Sequence, residues 1–158
     1  MPPVTPPADT LAALKAEGVP AAALLDRVGY LLAKTHVAIR ERANELLAPL
    51  RLDVMQYGSL TVLALQGPLS QQALAELIRC DRTTMVGIVD RLEEAGYVER
   101  QRNPVDRRAY ALEITAAGRS AHTSARKIVG RVEDEFLAPL SKPERAELLE
   151  MLRRLLLR

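Results

Sequence analysis

The sequence predicts a mainly α fold with a minor β component, a single short hairpin late in the chain. Three observations carry this. Leu and Ala dominate the apolar residues, whereas aromatics are only 3%, with no Trp and one Phe. That composition favours helices over a β-sandwich or barrel. Apolar residues recur at helical spacing along most of the 158 residues. A period change then marks Tyr97–Arg102 and Ala109–Ile114 as two short strands, with NPVDRR between them as a turn.

The elements follow in order. Residues 1–9 hold four of the ten prolines and read as an extended arm. Asp9 or Thr10 caps a short predicted helix, Leu11 to Glu17, ended by Gly18 and Pro20. A long helical pattern starts at Ala21, with the stripe Leu25, Gly29, Leu32, His36, Ile39, Ala43, Leu46 and Leu50, and Pro49 bends or ends it. Asp53 is the expected N-cap of a helix to about Leu65, with Val54, Tyr57, Leu60, Leu63 and Ala64 inward and Gly67-Pro68 as breaker. Ser70 caps a short helix with Leu74, Leu77 and Ile78 inward. Cys80-Asp81 forms a tight turn. Asp81 caps the next helix, which aligns Met85, Ile88, Val89 and Leu92 and closes at Gly96. After the hairpin, Thr115 caps a helix to about Leu137 that aligns Ala121, Ala125, Ile128, Val132 and Phe136. Ser141 to Glu144 is a capping box with proline in the first turn, and opens a last helix through Leu148, Leu149, Leu152, Leu155 and Leu156.

Composition excludes several functions. One cysteine, Cys80, rules out an internal disulfide and a Cys-cluster zinc site. His36 and His122 are far apart and lack metal-ligand spacing. No cofactor is expected. Nucleotide-cradling glycine motifs are absent, and no base–orienter constellation argues for an enzyme. No apolar run reaches the roughly 18 residues that a membrane helix needs, and the proline-rich start is not a signal peptide. A soluble, cytoplasmic protein without membrane contact is expected. The net charge is only +2, so any case for nucleic acid rests on where the charges sit.

They sit in residues 70–114. Two short helices joined by a tight turn, followed at once by a hairpin, form a winged helix-turn-helix pattern. Such a unit lays its second helix in the DNA major groove. That helix presents Arg82, Thr83, Thr84, Gly87, Asp90 and Arg91 outward. Arginine donates to guanine, threonine meets a thymine methyl or a phosphate, and Gly87 permits close approach. Ser70 and Gln71 open the preceding helix, where capping and phosphate contact compete. On the hairpin, Arg100, Arg102, Arg107 and Arg108 cluster against Glu99 and Asp106. An arginine at such a tip enters a narrow minor groove, and Asp106 can orient Arg108 by a forked hydrogen bond.

These residues resemble the MarR family of winged-helix transcriptional regulators over roughly 21–158. The resemblance rests on LDVMQYGSL from Leu52, GPLSQQALAEL from Gly67, TTMVGIVDRLEEAGYVER from Thr83 and DRRAYALEITAAG from Asp106. The last matches a D-x-R pattern followed, after five residues, by [LI]-T-x-x-G. The resemblance implies a recognition helix from Asp81 and a wing pair of Asp106 and Arg108. It also implies a homodimer built by residues 21–50 and 116–158 around a DNA-binding lobe, 51–115, with the arm 1–20 outside the common core. Arg79 stands where such proteins often carry glycine, which implies a turn of another type.

The expected partners are therefore an operator in double-stranded DNA, a second copy of the chain and a small anionic or phenolic effector, with repression as the outcome. Tyr30, His36, Val37 and Tyr57 are the candidate effector-lining residues. The plainer reading of His36 is a buried or interface histidine. Cys80 reads as an inert, buried thiol and His122 as a surface residue. The leucine-rich end carries more apolar surface than a lone helix can hide and predicts an intersubunit bundle. The alternative is a winged-helix module that binds protein and no specific DNA.

Overall fold

A computed structural model of the protein describes residues 24–102 and 110–157. The expected helix Leu11–Glu17 and the wing turn with Asp106, Arg107 and Arg108 lie outside the described residues. The chain divides into two units, Met1–Ala38 and Ile39–Arg158. Among the described residues, six α-helices and a three-stranded sheet order as α1 (Val28–Leu47), α2 (Val54–Gln66), β1 (Leu69–Ser70), α3 (Gln71–Leu77), α4 (Arg82–Glu94), β2 (Val98–Arg102), β3 (Tyr110–Ile114), α5 (Ala116–Phe136) and α6 (Lys142–Leu156). Among the described residues no helix is long and apolar enough to cross a membrane.

The long first helix starts later than its periodicity predicts, because residues 24–26 form a turn. Its buried positions are Ala43 and Leu47, one turn apart, rather than Ala43 and Leu46. A 3-10 turn at Ala48–Leu50 places Pro49 where its missing N–H costs nothing, and Arg51 closes it at φ 53°. The Asn44 side chain then accepts the Val54 N–H at 2.9 Å, so the end of α1 seats the start of α2.

Four predicted caps are present. Asp53 accepts the Gln56 N–H at 2.7 Å while the Gln56 side chain accepts the Asp53 N–H at 2.8 Å. Ser70 accepts from Ala73, Asp81 from Thr84 and Thr115 from Gly118. At Ser141 the emphasis differs: both its N–H and its hydroxyl donate to the Glu144 carboxylate, which is held below the usual range by those bonds.

The core gathers Leu60 and Leu63 of α2, Leu74 of α3, Met85, Ile88, Val89 and Leu92 of α4, Val98, Leu112 and Ile114 of the sheet, and Ala121 and Ala125 of α5. Three expectations are corrected. Leu77 is exposed: at 100° per residue the inward arc runs through Leu74, Ile78 and Ala75, which leaves Leu77 on its far side. Phe136, at the end of α5, is likewise exposed, since α5 outruns the core beyond Val132. A strand that periodicity did not signal, β1, pairs antiparallel with β3 (Leu69 with Leu112, Ser70 with Ala111) and gives the order β1-β3-β2. Two residues are too few to show alternation.

The turn between α3 and α4 uses the left-handed residue that glycine usually supplies. Arg79 has φ 53°; the Cys80 N–H bonds Ala75 O at 2.9 Å and the Arg79 N–H bonds Glu76 O at 3.2 Å. That is a Schellman close. The same pair of bonds closes α4 around Gly96 at φ 73°, from Tyr97 to Leu92 and from Gly96 to Glu93. The turn is therefore of the glycine type with arginine in it, against the expectation of a different type.

A second glycine is fixed by packing. A Cβ at Gly118 would overlap the Tyr97 carbonyl oxygen and lie 2.9 Å from Ile114 Cγ1. Around it, Thr115 N–H donates to Tyr97 O at 3.0 Å and Thr115 Oγ1 donates to Gly96 O at 2.7 Å. The T-x-x-G of the sequence is thus the corner at which α5 is joined to the base of the hairpin.

Candidate nucleic-acid interface

Helix α4 turns one face inward through Met85, Ile88, Val89 and Leu92, each at most 1% exposed. Its other face is open: Arg82, Thr83, Thr84, Asp90 and Arg91 are exposed and Gly87 is half-buried. At 1.5 Å per residue its 13 residues span about 20 Å, and a helix of ordinary diameter fits a major groove about 12 Å wide.

The outward side chains differ in how free they are. Arg82 and Thr83 stand exposed at the first turn. Thr84 is engaged: its hydroxyl donates to Asp81 Oδ2 at 2.6 Å and its N–H to Asp81 Oδ1 at 2.9 Å. With its proton so used, Thr84 offers a methyl group and lone pairs rather than a donor. The Thr84 hydroxyl and N–H in turn hold the Asp81 carboxyl below its usual range. Arg91 Nη2 lies 3.7 Å from Asp53 Oδ2, a loose pair between α4 and the start of α2. At Gly87 a Cβ would meet only the Arg91 guanidinium at 3.6 Å, so nothing within the described residues demands glycine there. Ser70 and Gln71 sit at the start of α3, Ser70 exposed and capping, Gln71 half-buried.

The hairpin departs from the sequence reading at Arg100. Rather than pairing within the hairpin, Arg100 Nε donates to Glu93 Oε2 at 2.7 Å and its Nη2 to Asp90 Oδ1 at 2.9 Å. Glu99 instead accepts from the Gln101 side chain. A cleft of about 730 Å³ opens between α3, α4 and the hairpin, lined by Gln71, Arg79, Arg82, Val86, Arg100 and Tyr110 among others. Cys80 borders it and is half-buried; partial burial and the neighbouring Asp81 carboxylate push its thiol up, which keeps it protonated.

The effector candidates are divided between the two units. Tyr30, half-buried with the Lys34 ammonium 5.8 Å from its ring, and exposed His36 and Val37 belong to the first unit. His36 is thus not buried within the chain; its neighbours Leu31 to Ala38 are exposed as well. Tyr57 belongs to the second unit and stacks on His122, ring centroids 5.6 Å apart and planes 18° from parallel. His122 is therefore half-buried rather than a free surface side chain. Its Nε2 lies 3.1 Å from Thr61 Oγ1, whose proton goes to Tyr57 O at 2.8 Å, and burial followed by the Arg126 charge lowers its pKa. Sequence periodicity missed it because the contact spans 61 residues and two helices.

Helix, left-handed turn, helix and hairpin, with an open polar face on the second helix that carries Arg82 and Arg91, define a winged helix-turn-helix protein. Residues 53–110 match the model of the MarR family. The chain is 41% identical over 99 residues to a transcriptional regulatory protein for the hcr operon of Thauera aromatica, covering 63% of this chain and 60% of that protein. It thus spans about three fifths of that relative's length. Among solved structures, the transcriptional repressor CouR bound to a 23-mer DNA duplex superposes with a TM-score of 0.79 at 30% identity, over 85% of this chain and 95% of the other. CouR from Rhodococcus jostii RHA1 bound to p-coumaroyl-CoA gives 0.73 at 27% identity, over 85% and 95%. This chain belongs to the MarR family, and the relatives named above are transcriptional regulators.

Proposed function

We propose that the protein is a homodimeric, sequence-specific DNA-binding repressor of the cytoplasm that reads a palindromic operator and is released by a small anionic or phenolic ligand. The observation that carries the reading is the open face of α4, with Arg82 and Thr83 at its first turn, held beside a hairpin on a buried core. Arg82 and Thr83 read base edges, with Thr84, Gly87 and Arg91 completing the contact face. Ser70 and Gln71 seat a phosphate, and the wing tip, with Arg107 beside Arg108 and Asp106 orienting Arg108, enters the minor groove. Two subunits joined through residues 21–50 and 116–158 present these lobes about one helical turn apart. The DNA-bound and ligand-bound CouR structures support both halves of this reading by similarity. Tyr30, His36, Val37 and Tyr57 remain the proposed ligand-facing residues. A ligand that favours an unmatched lobe spacing by about 1–3 kcal/mol changes occupancy roughly 5- to 150-fold.

The test is selection of duplexes from a randomised pool, followed by binding at fixed salt. Arg82→Ala is expected to cost about 1–3 kcal/mol and to relax the preference at one position. Arg108→Ala is expected to weaken binding strongly while the dimer stays folded. Failure of the protein to enrich any duplex, or unchanged affinity in both variants, rejects the reading.

A further inference from the structure

The acidic side chains on α4 are an apparent liability for a helix that meets DNA. Asp90 and Glu93 lie three residues apart, which places both carboxylates on one side of the helix. Unmasked, they would repel phosphates. Arg100 answers both of them, Nη2 to Asp90 at 2.9 Å and Nε to Glu93 at 2.7 Å. The strand explains why it can. Val98 is buried in the core, and Arg100 is two residues further, hence on the same face of β2. In the ladder Val98 pairs with Ile114 and Arg100 with Leu112, both partners buried. The hairpin is thus seated on α4 first by an apolar side chain and then, one pleat outward, by an ionic fork.

We infer that Arg100 is a positioning residue: it grips Asp90 and Glu93, fixes the direction in which the wing leaves α4 and masks two carboxylates beside the recognition face, instead of touching DNA. This rests on the DNA-binding reading above. A planar guanidinium held at two of its nitrogens by two carboxylates has its plane and direction fixed, which a lysine ammonium cannot reproduce. The Arg100 and Glu93 side chains are 35% and 31% exposed and Asp90 59%, so solvent screens the fork in part, its contribution to folding is modest, and its main effect falls on geometry.

The experiment compares wild type, Asp90→Asn/Glu93→Gln, Arg100→Ala and Arg100→Lys. The probes are the duplex that wild type enriches from a randomised pool and an unrelated duplex of equal length, titrated over a salt series. All variants are expected to keep the wild-type urea midpoint. Asp90→Asn/Glu93→Gln removes two negative charges per chain, yet is expected to bind the enriched duplex about tenfold more weakly, and the unrelated one at least as tightly. Arg100→Ala is expected to lose specificity similarly with an unchanged salt slope on the unrelated duplex, and Arg100→Lys to recover part of the loss. Tighter or unchanged binding of the enriched duplex by Asp90→Asn/Glu93→Gln overturns the inference, since a freed Arg100 would then be a phosphate contact. So does a slope reduced by about 0.9 per lost contact in Arg100→Ala. Failure of wild type to enrich any duplex removes the DNA-binding reading and this inference with it; enrichment by wild type with no loss in the acid variants removes only the inference.

Discussion

Replacing Gly118 by alanine sets two effects of opposite sign against each other. Helix propensity alone makes Gly→Ala stabilising by up to about 1 kcal/mol. The corner at the start of α5 predicts the reverse. The new Cβ would lie 2.9 Å from both the Tyr97 carbonyl carbon and Ile114 Cγ1, and would overlap the Tyr97 oxygen. Ordinary carbon contacts begin near 3.5 Å, so α5 and the hairpin base must separate by at least about half an ångström. Neither neighbour is a flexible side-chain end: one is backbone, the other a side chain of a residue 4% exposed. Overpacking of this kind costs about 1–3 kcal/mol. The Thr115 bonds to Gly96 and Tyr97, worth about 1 kcal/mol each, stretch with it. The net expectation is a loss of about 2–4 kcal/mol, read as a lower urea midpoint at unchanged m-value. A variant as stable as wild type, or more so, would refute the packing argument and leave propensity as the winner.

Three further outcomes are expected. Arg79→Gly relieves a left-handed non-glycine residue and, after the added freedom of the unfolded chain, stabilises by about 0.5 kcal/mol, whereas Gly96→Ala destabilises by about 1 kcal/mol; urea melts of the pair check the opposite signs. His122 has a folded pKa below the unfolded value near 6.5, so the unfolded chain takes the proton first. Its stability contribution is therefore intact above that value and declines as pH falls through it, and His122→Gln is expected to flatten the melting profile between about pH 7 and 5. Leu155→Glu, on an exposed position of α6, is expected to weaken self-association by at least a hundredfold, about 2.7 kcal/mol, measured by light scattering across a dilution series; an unchanged dimer would count against the assigned interface.

What was legible in the sequence was what is local. Asp53, Ser70, Asp81 and Thr115 each act on an amide three residues away, and each is legible as a cap from its neighbours alone. The inward stripe of α4 was equally plain, because 13 residues of strict periodicity leave little ambiguity. The failures are contacts between distant segments. The Arg100 fork joins a strand to residues seven and ten positions earlier, whereas the sequence places that arginine in the hairpin cluster against Glu99 and Asp106. The stacking of Tyr57 on His122 crosses from α2 to α5, and the apolar stripe of α5 offers no cue to it. Arg79 in a left-handed turn shows a limit of another kind: composition signals such a turn through glycine, but hydrogen bonds to Ala75 and Glu76 can impose it on arginine.

The last helix has a thermodynamic consequence. Not one side chain of α6 is buried within the chain, although Leu149, Met151, Leu155 and Leu156 lie along it. A fifteen-residue helix left in water is only marginally formed by its own amide ladder. In the proposed homodimer its order is completed by mass action with a second copy, so the heat resistance of this protein is expected to climb as its concentration rises and to erode on dilution. Cellular copy number would thereby set how much of the pool is in a shape able to act at all.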